Sequence, residues 1–364
     1  MTEQMAQTQA EPEVLVRVEG RAGRITLNRP KALNALTLGM TRIIWQTLHA
    51  WKDDAAVELV ILDGAGDRAL CAGGDVLSLY QSRQQGSEAA RTFWREEYEL
   101  NAFIHHFPKP FVPIMDGIVM GGGIGLSAHA QGGARIVTER SMLAMPETGI
   151  GLIPDVGGTW LLGRTTGRLG TYLALSGARM TGADAIQAGM ADIHLKSEQI
   201  PTLLAALSER NGQVVPDILD AARDAEPVPI SKLMQLKPAI DHFFSKPTVE
   251  EILFELQTTM DDWAMKTRAD LLDKSPLALK TTLAAVRRVR SGEVKSLEAA
   301  LTDEFRLCTH LFEHGEFPEG VRALLVDKDK APKWSPAELE DVTGDMVEAL
   351  FQPVEPKSDE PDFA

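Results

Sequence analysis

The chain has 364 residues, room for one large or two ordinary domains. Against 37 Lys and Arg stand 52 Asp and Glu, and the net charge of −15 disfavours the basic surface that non-specific nucleic-acid binding needs. Its two cysteines, Cys71 and Cys308, rule out a disulfide framework or a four-thiolate metal site and fit a reducing compartment.

Residues 1–12 are polar and expected to be disordered. Met1 to Glu13 carries acids, no Lys or Arg and no apolar run, which argues against a secretory signal or an Arg-rich transit peptide. The cytoplasm is the default expectation, and no apolar run approaches the roughly 18 residues of a membrane helix. Val14, Val16 and Val18 alternate with Leu15, Arg17 and Glu19 as in a half-exposed strand, and Gly20–Gly23 turns the chain into a hairpin partner, Arg24–Leu27. Asn28-Arg29-Pro30 ends it. Thr37 can cap a helix whose apolar positions are Ile44, Leu48 and Trp51. Glu58–Leu62 reads as a strand, and 88–107 as a helix carrying Glu96 and Glu97. Pro108 and Pro110 bound that helix. Phe111–Met115 is an apolar strand, and Met120-Gly121-Gly122-Gly123 leads into a helix through Ile124–Ala130. Ala134–Val137 is a further strand, and Leu143–Ile153 a further apolar stretch. Thr181 to Asp184 has the form of a capping box. Beyond about 200 the strand signal fades, with a soft junction near 212–228. Ser275-Pro276 opens a helix with Leu279, Leu283 and Val286 on one face, and Gly292 stops it. The expected divisions are a disordered 1–12, an α/β core over 13–220, a helical region over 221–352 and a disordered, Pro- and acid-rich tail over 353–364.

Several motifs have both a bland and a chemical reading. Gly123-Ile124-Gly125-Leu126-Ser127-Ala128 matches GxGxxA, but it lies mid-chain and carries a surplus of glycines, which speaks against a dinucleotide site. Glycines opening a helix still expose backbone N–H groups to a close ligand. Ala72-Gly73-Gly74-Asp75 is a second such cluster. Two clusters, each after a strand, suggest two amides aimed at one oxyanion. Ser127 lacks the GxSxG context of a hydrolase nucleophile. Cys71 reads as a buried, inert thiol, and His105-His106 as structural, with no ligands at metal spacing. No metal site is expected. Glu147 and Asp155 share one apolar, Gly/Pro-bent segment, which fits acid–base or nucleophilic chemistry and equally a pair of helix caps.

Leu27-Asn28-Arg29-Pro30-Lys31-Ala32-Leu33-Asn34-Ala35-Leu36, Cys71-Ala72-Gly73-Gly74-Asp75 and Gly121–Gly123 together resemble the crotonase (enoyl-CoA hydratase/isomerase) superfamily. The block Ala144-Met145-Pro146-Glu147 through Asp155-Val156-Gly157-Gly158 looks like that superfamily's 3-hydroxyisobutyryl-CoA hydrolase branch. Arg95-Glu96-Glu97-Tyr98 and the segment 319–334 point the same way. The resemblance spans about 14–342.

It implies an α/β fold, a crotonase-like spiral of repeated ββα units with a helical C-terminal region. It implies an acyl-CoA substrate, with coenzyme A as part of the substrate and no separate cofactor. Gly74 and Gly122 would form the oxyanion hole for the thioester carbonyl, and Glu147 would be the catalytic carboxylate. Asp155 and Glu97 would bind the acyl 3-hydroxyl or orient Glu147. Arg29, Lys31 and Ala32 would lie along coenzyme A, with Arg287, Arg288 and Arg290 as further phosphate candidates or a solvated helix face. Related hydratases carry a second glutamate where this chain has Gly125, so hydrolysis of a short 3-hydroxyacyl-CoA, as in valine degradation, is expected over hydration or isomerisation. A non-catalytic acyl-CoA-binding protein is the alternative from another class. A homo-oligomer is open, since superfamily members often form trimers or hexamers; neither nucleic acid nor membrane is an expected partner.

Overall fold

The computed structural model describes residues 11–209 and 214–363. Val14–Glu19 (β1) and Ala22–Leu27 (β2) form the expected antiparallel hairpin. Then come Leu59–Gly64 (β3), Ala69–Cys71 (β4), Phe111–Met115 (β5), Ile118–Met120 (β6), Ile136–Thr138 (β7), Met142–Ala144 (β8), Met180–Thr181 (β9) and Ile193–Leu195 (β10). They fall into two sheets, β1-β2-β3-β5-β7-β10 and β4-β6-β8-β9. From β2 onward the larger sheet is parallel, as are β4, β6 and β8 in the smaller. Each pass of the chain gives one strand to each sheet and returns through helix: β3 and β4, then β5 and β6, then β7 and β8. This is the spiral of ββα units that the resemblance implies. The smaller sheet is not apparent in the sequence, because strands of two or three residues are too short to display a period of two.

The parallel register of the small sheet places the site. Cys71 pairs with Val119, and Met120 with Ala144, so β4, β6 and β8 end side by side. Just past those ends stand Gly74, Gly122 and Glu147 in turn. Ligands in parallel sheets sit at the carboxyl ends of strands for this reason. The Gly74 turn is held by a strap over 33–36: Leu36 N–H donates to Gly73 O (2.8 Å), Asp75 N–H to Leu36 O (2.9 Å) and Ala72 N–H to Leu33 O (3.0 Å). Asn34, at φ +56°, locks the strap by donating to Ala65 O and Ala69 O and accepting from Arg29 N–H.

Beyond β10 the described residues form helices and turns and no further strand. Ser275 caps the helix Pro276–Ser291, which Gly292 ends at φ +80°, and Thr181 and Asp184 make a reciprocal capping box, all as the sequence predicts. The helix after the glycine run starts at Gly122, two residues earlier than expected. A single core cluster runs from Val14 to Val354, so the C-terminal helices share the core of the α/β part. The junction residues 211 and 212, and residues 1–10 of the expected disordered N-terminus, lie outside the described residues. The expected disorder of 353–364 is corrected as far as Phe363. Val354 is buried, Arg306 pairs with Glu360 at 2.8 Å and Arg91 with Asp359 at 3.2 Å.

Candidate active site

A cavity of about 350 Å³ opens at the ends of β4, β6 and β8. Its lining brings together Gly74, Gly122, Glu97, Glu147 and Asp155, five residues drawn from well-separated parts of the sequence. Apolar side chains, among them Phe93, Trp94, Leu152 and Phe317, form much of the remaining wall. All three carboxylates are buried, at 2%, 6% and 6% exposure for Glu97, Glu147 and Asp155.

Close packing explains the glycines. A Cβ on Gly122 would stand 2.5 Å from Glu97 Oε1 and 3.4 Å from Gly74 N, so the two glycine backbones and Glu97 converge on one point. A Cβ on Gly121, itself at φ +46°, would meet Glu147 Oε1 at 3.0 Å. Gly122 is the first residue of its helix, and its N–H has no partner within that helix. Two amides near one another and beside a carboxylate can take the negative oxygen of a tetrahedral intermediate.

Electrostatics set the carboxylates apart from ordinary acids. Burial, then repulsion from Asp155, raises Glu147 well above the usual carboxylate range, and the same two causes act on Glu97. Asp155 is pushed up to about 6 by burial, against the pull of the Tyr98 hydroxyl, which donates to Asp155 Oδ2 at 2.7 Å. Glu97 Oε1 and Glu147 Oε2 are buried without a hydrogen-bond partner among the described residues. Unpartnered buried acceptors are costly in a finished core and useful beside a reacting group. Lys274 is the one cation among the described residues lining the cavity, and burial lowers its amine below the ordinary value.

The expected coenzyme A contacts fare differently. Arg29 pairs with Asp75 at 3.0 Å and Glu13 at 3.1 Å and donates to Ala35 O. With these partners Arg29 braces the strap. Lys31 and Ala32 lie exposed on the turn Pro30–Ala32. Arg287 and Arg290 donate to backbone carbonyls, and Arg288 pairs with Glu293 and lies over the Phe351 ring. Burial raises the Cys71 thiol to about 12, which makes it inert. His106 meets Glu298 at 2.6 Å, outside the cavity.

Sequence reasoning missed Lys274, Glu304 and His129. Glu304 had a signal: it lies on the apolar face of the helix Leu297–His314, in line with Leu297, Leu301, Cys308 and Leu311. A carboxylate at such a position must have buried donors.

Gly125 can be tested against the space around it. A Cβ there would stand 2.7 Å from Val156 Cβ and 2.9 Å from Asn101 Nδ2. The second glutamate of the cavity comes from the helix Glu88–His105 instead, as Glu97.

Known proteins bear out the pattern. The chain is 44% identical over 342 residues to the mitochondrial 3-hydroxyisobutyryl-CoA hydrolase of Xenopus laevis, covering 91% of this chain and 86% of that protein. To the protein of that name from Homo sapiens it is 42% identical over 351 residues, with 95% and 90% covered. Among solved structures, a carnitinyl-CoA dehydratase from Mycobacterium thermoresistibile superposes with a TM-score of 0.89 at 44% identity, covering 96% and 98% of the two chains. An enoyl-CoA hydratase from Rhodobacter sphaeroides 2.4.1 gives 0.87 at 41% identity, covering 95% and 99%. The curated relatives are named as mitochondrial, so the cytoplasmic expectation draws no support from them. Among the described residues no helix is long and apolar enough to cross a membrane. A family profile described as Enoyl-CoA hydratase/isomerase matches residues 22–351, and with the spiral of ββα units and the glycine–carboxylate cavity at its strand ends, the chain belongs to that family.

Proposed function

We propose that this chain hydrolyses the thioester of 3-hydroxyisobutyryl-CoA, or a similar short 3-hydroxyacyl-CoA, to the free acid and CoA. Such a reaction has a place in valine degradation. The observation that carries the reading is the packing at Gly125, which leaves no room for a carboxylate there, while Glu147 approaches Gly121 and lines the same cavity as the two glycine amides. The names of the curated relatives support the same activity.

Thioester hydrolysis needs one carboxylate and an oxyanion site, because the thiolate is a good leaving group. Glu147 attacks the carbonyl to give an anhydride that water then opens, or it takes a proton from the attacking water. Either route needs Glu147 ionised. The N–H groups of Gly74 and Gly122 hold the oxyanion. Asp155, with Glu97, accepts the hydrogen bond of the acyl 3-hydroxyl. Lys31 and Ala32 border the coenzyme A part. No cofactor is required by this chemistry.

A second reading comes from two glutamates sharing the cavity, Glu97 and Glu147, and from the dehydratase and hydratase names of the two solved structures. In it those acids add or remove water across a double bond. Free-thiol release from 3-hydroxyisobutyryl-CoA, measured beside the absorbance of crotonyl-CoA, separates the two. Fast thiol release with a stable crotonyl absorbance is expected. Loss of that absorbance without thiol release would move the chain to the hydratase reading.

A further inference from the structure

We propose that Glu304 is a positioning residue, which together with His129 clamps the turn 155–159 and thereby fixes Asp155 in the cavity wall. The turn is strained. Gly158 N–H folds back to Asp155 O at 2.6 Å, and the two residues between are both left-handed, Val156 at φ +52° and Gly157 at φ +78°. For a β-branched residue that conformation is a true outlier. It persists only where the surroundings over-determine it.

Glu304 supplies most of that determination. It has no exposed surface, and it comes from the distant helix Leu297–His314. One carboxylate oxygen accepts from Gly157 N–H at 2.6 Å, and the other from Thr159 N–H at 2.8 Å and from the Thr159 hydroxyl. From the other side His129 Nε2 meets Val156 O at 2.7 Å. Burial holds the His129 ring neutral, with its pKa down to about 4, so Nε2–H donates to that carbonyl. A Cβ on Gly157 would strike His129 Nε2 at 2.4 Å and Leu297 at 2.6 Å, so the turn has no slack. A carboxylate buried without a cation is costly, and burial raises Glu304 to about 8 even against three donors. Four residues on along the same helix, Cys308 Sγ lies 3.4 Å from the Tyr98 hydroxyl that binds Asp155. One C-terminal helix thus meets both the turn that carries Asp155 and the tyrosine that bonds it.

The substrate role of Asp155 rests on the proposed function; the clamp itself does not. Glu304→Gln keeps the shape and sets an NH₂ against a backbone N–H. Thiol release from 3-hydroxyisobutyryl-CoA is measured for the wild type, Glu304→Gln, Asp155→Asn and the double variant, with hydrogen exchange of the Gly157 and Thr159 amides. Glu304→Gln is expected to lower kcat by about 10- to 100-fold and to speed exchange at those two amides, with the remaining core still protected. Added to Asp155→Asn, it is expected to cost no more than about 3-fold, because both changes act through one group. Multiplying losses in the double variant, an Asp155→Asn protein of normal rate, or unchanged protection of the two amides would each overturn the proposal. Thr159→Val removes a single bond of the clamp and is expected to show the same pattern at smaller amplitude, which keeps the test open if Glu304→Gln does not fold. A wild type that releases no thiol overturns the hydrolase reading, and the exchange measurement then decides the clamp by itself.

Discussion

At the scale of single residues, Glu147 joins activity and stability through one ionisation. Its pKa is raised in the folded protein, by burial and then by Asp155. The reaction needs the charged form, so the acid limb of kcat/KM is expected above the ordinary carboxylate value of 4.5, with activity rising as pH rises through it. Stability runs the other way. A carboxyl raised on folding binds more protons in the native than in the unfolded state, so its contribution is present at low pH and lost as pH rises through the folded value. Glu147→Gln is therefore expected to lower thiol release by about 10²–10⁴. The same variant is expected to melt higher than the wild type near pH 8 and close to it near pH 4. Melting curves over that range check the sign, and a variant that melts lower than the wild type at pH 8 would refute it.

At the scale of elements, the helix Gly122–Ser127 is wedged between the helix Glu88–His105 and the turn 155–159. Gly125 is the point of contact, with Val156 on one side and Asn101 on the other. Restoring a glutamate there, as Gly125→Glu, is expected to cost stability by overpacking, about 1–3 kcal/mol or more, and to confer no hydration of crotonyl-CoA. Denaturant melts and the crotonyl absorbance check both halves. A stable Gly125→Glu protein with new hydratase activity would mean that the turn yields easily, contrary to the clamping seen around it.

At the scale of the whole molecule, β1, β2, β3, β5 and β7 of the larger sheet and the helix caps could be read from alternation, apolar runs, proline and glycine, because those signals act within a few residues; the three-residue β10 could not. The small sheet could not, since three-residue strands lack a period, yet it is what brings Gly74, Gly122 and Glu147 together. Those residues emerged from motif resemblance, and the structure supplies the reason for their spacing. Arg29 could not be judged from sequence either: its partners Glu13 and Asp75 lie 16 and 46 positions away. The same limit misled the reading of the tail. Pro and acidic composition spoke for disorder over 353–364, whereas long-range contacts hold it down. Val354 fills a core position at 1% exposure, and Glu360 meets Arg306 with both carboxylate oxygens, at 2.8 and 3.0 Å. Arg306 follows Glu304 by two residues on one helix, so the tail bears on the element that clamps Asp155. Deleting residues 354–364 is thus expected to lower stability by about 1–3 kcal/mol, from the lost apolar burial and a partly buried, bidentate ion pair. It is also expected to loosen the helix Leu297–His314, together with Glu88–His105, before the sheets open, because the lost polar contacts fall on those two helices. Hydrogen exchange across both helices, compared with β3 and β5, would read that order directly. Equal loosening of sheet and helix would make the tail a general stabiliser with no particular hold on the site.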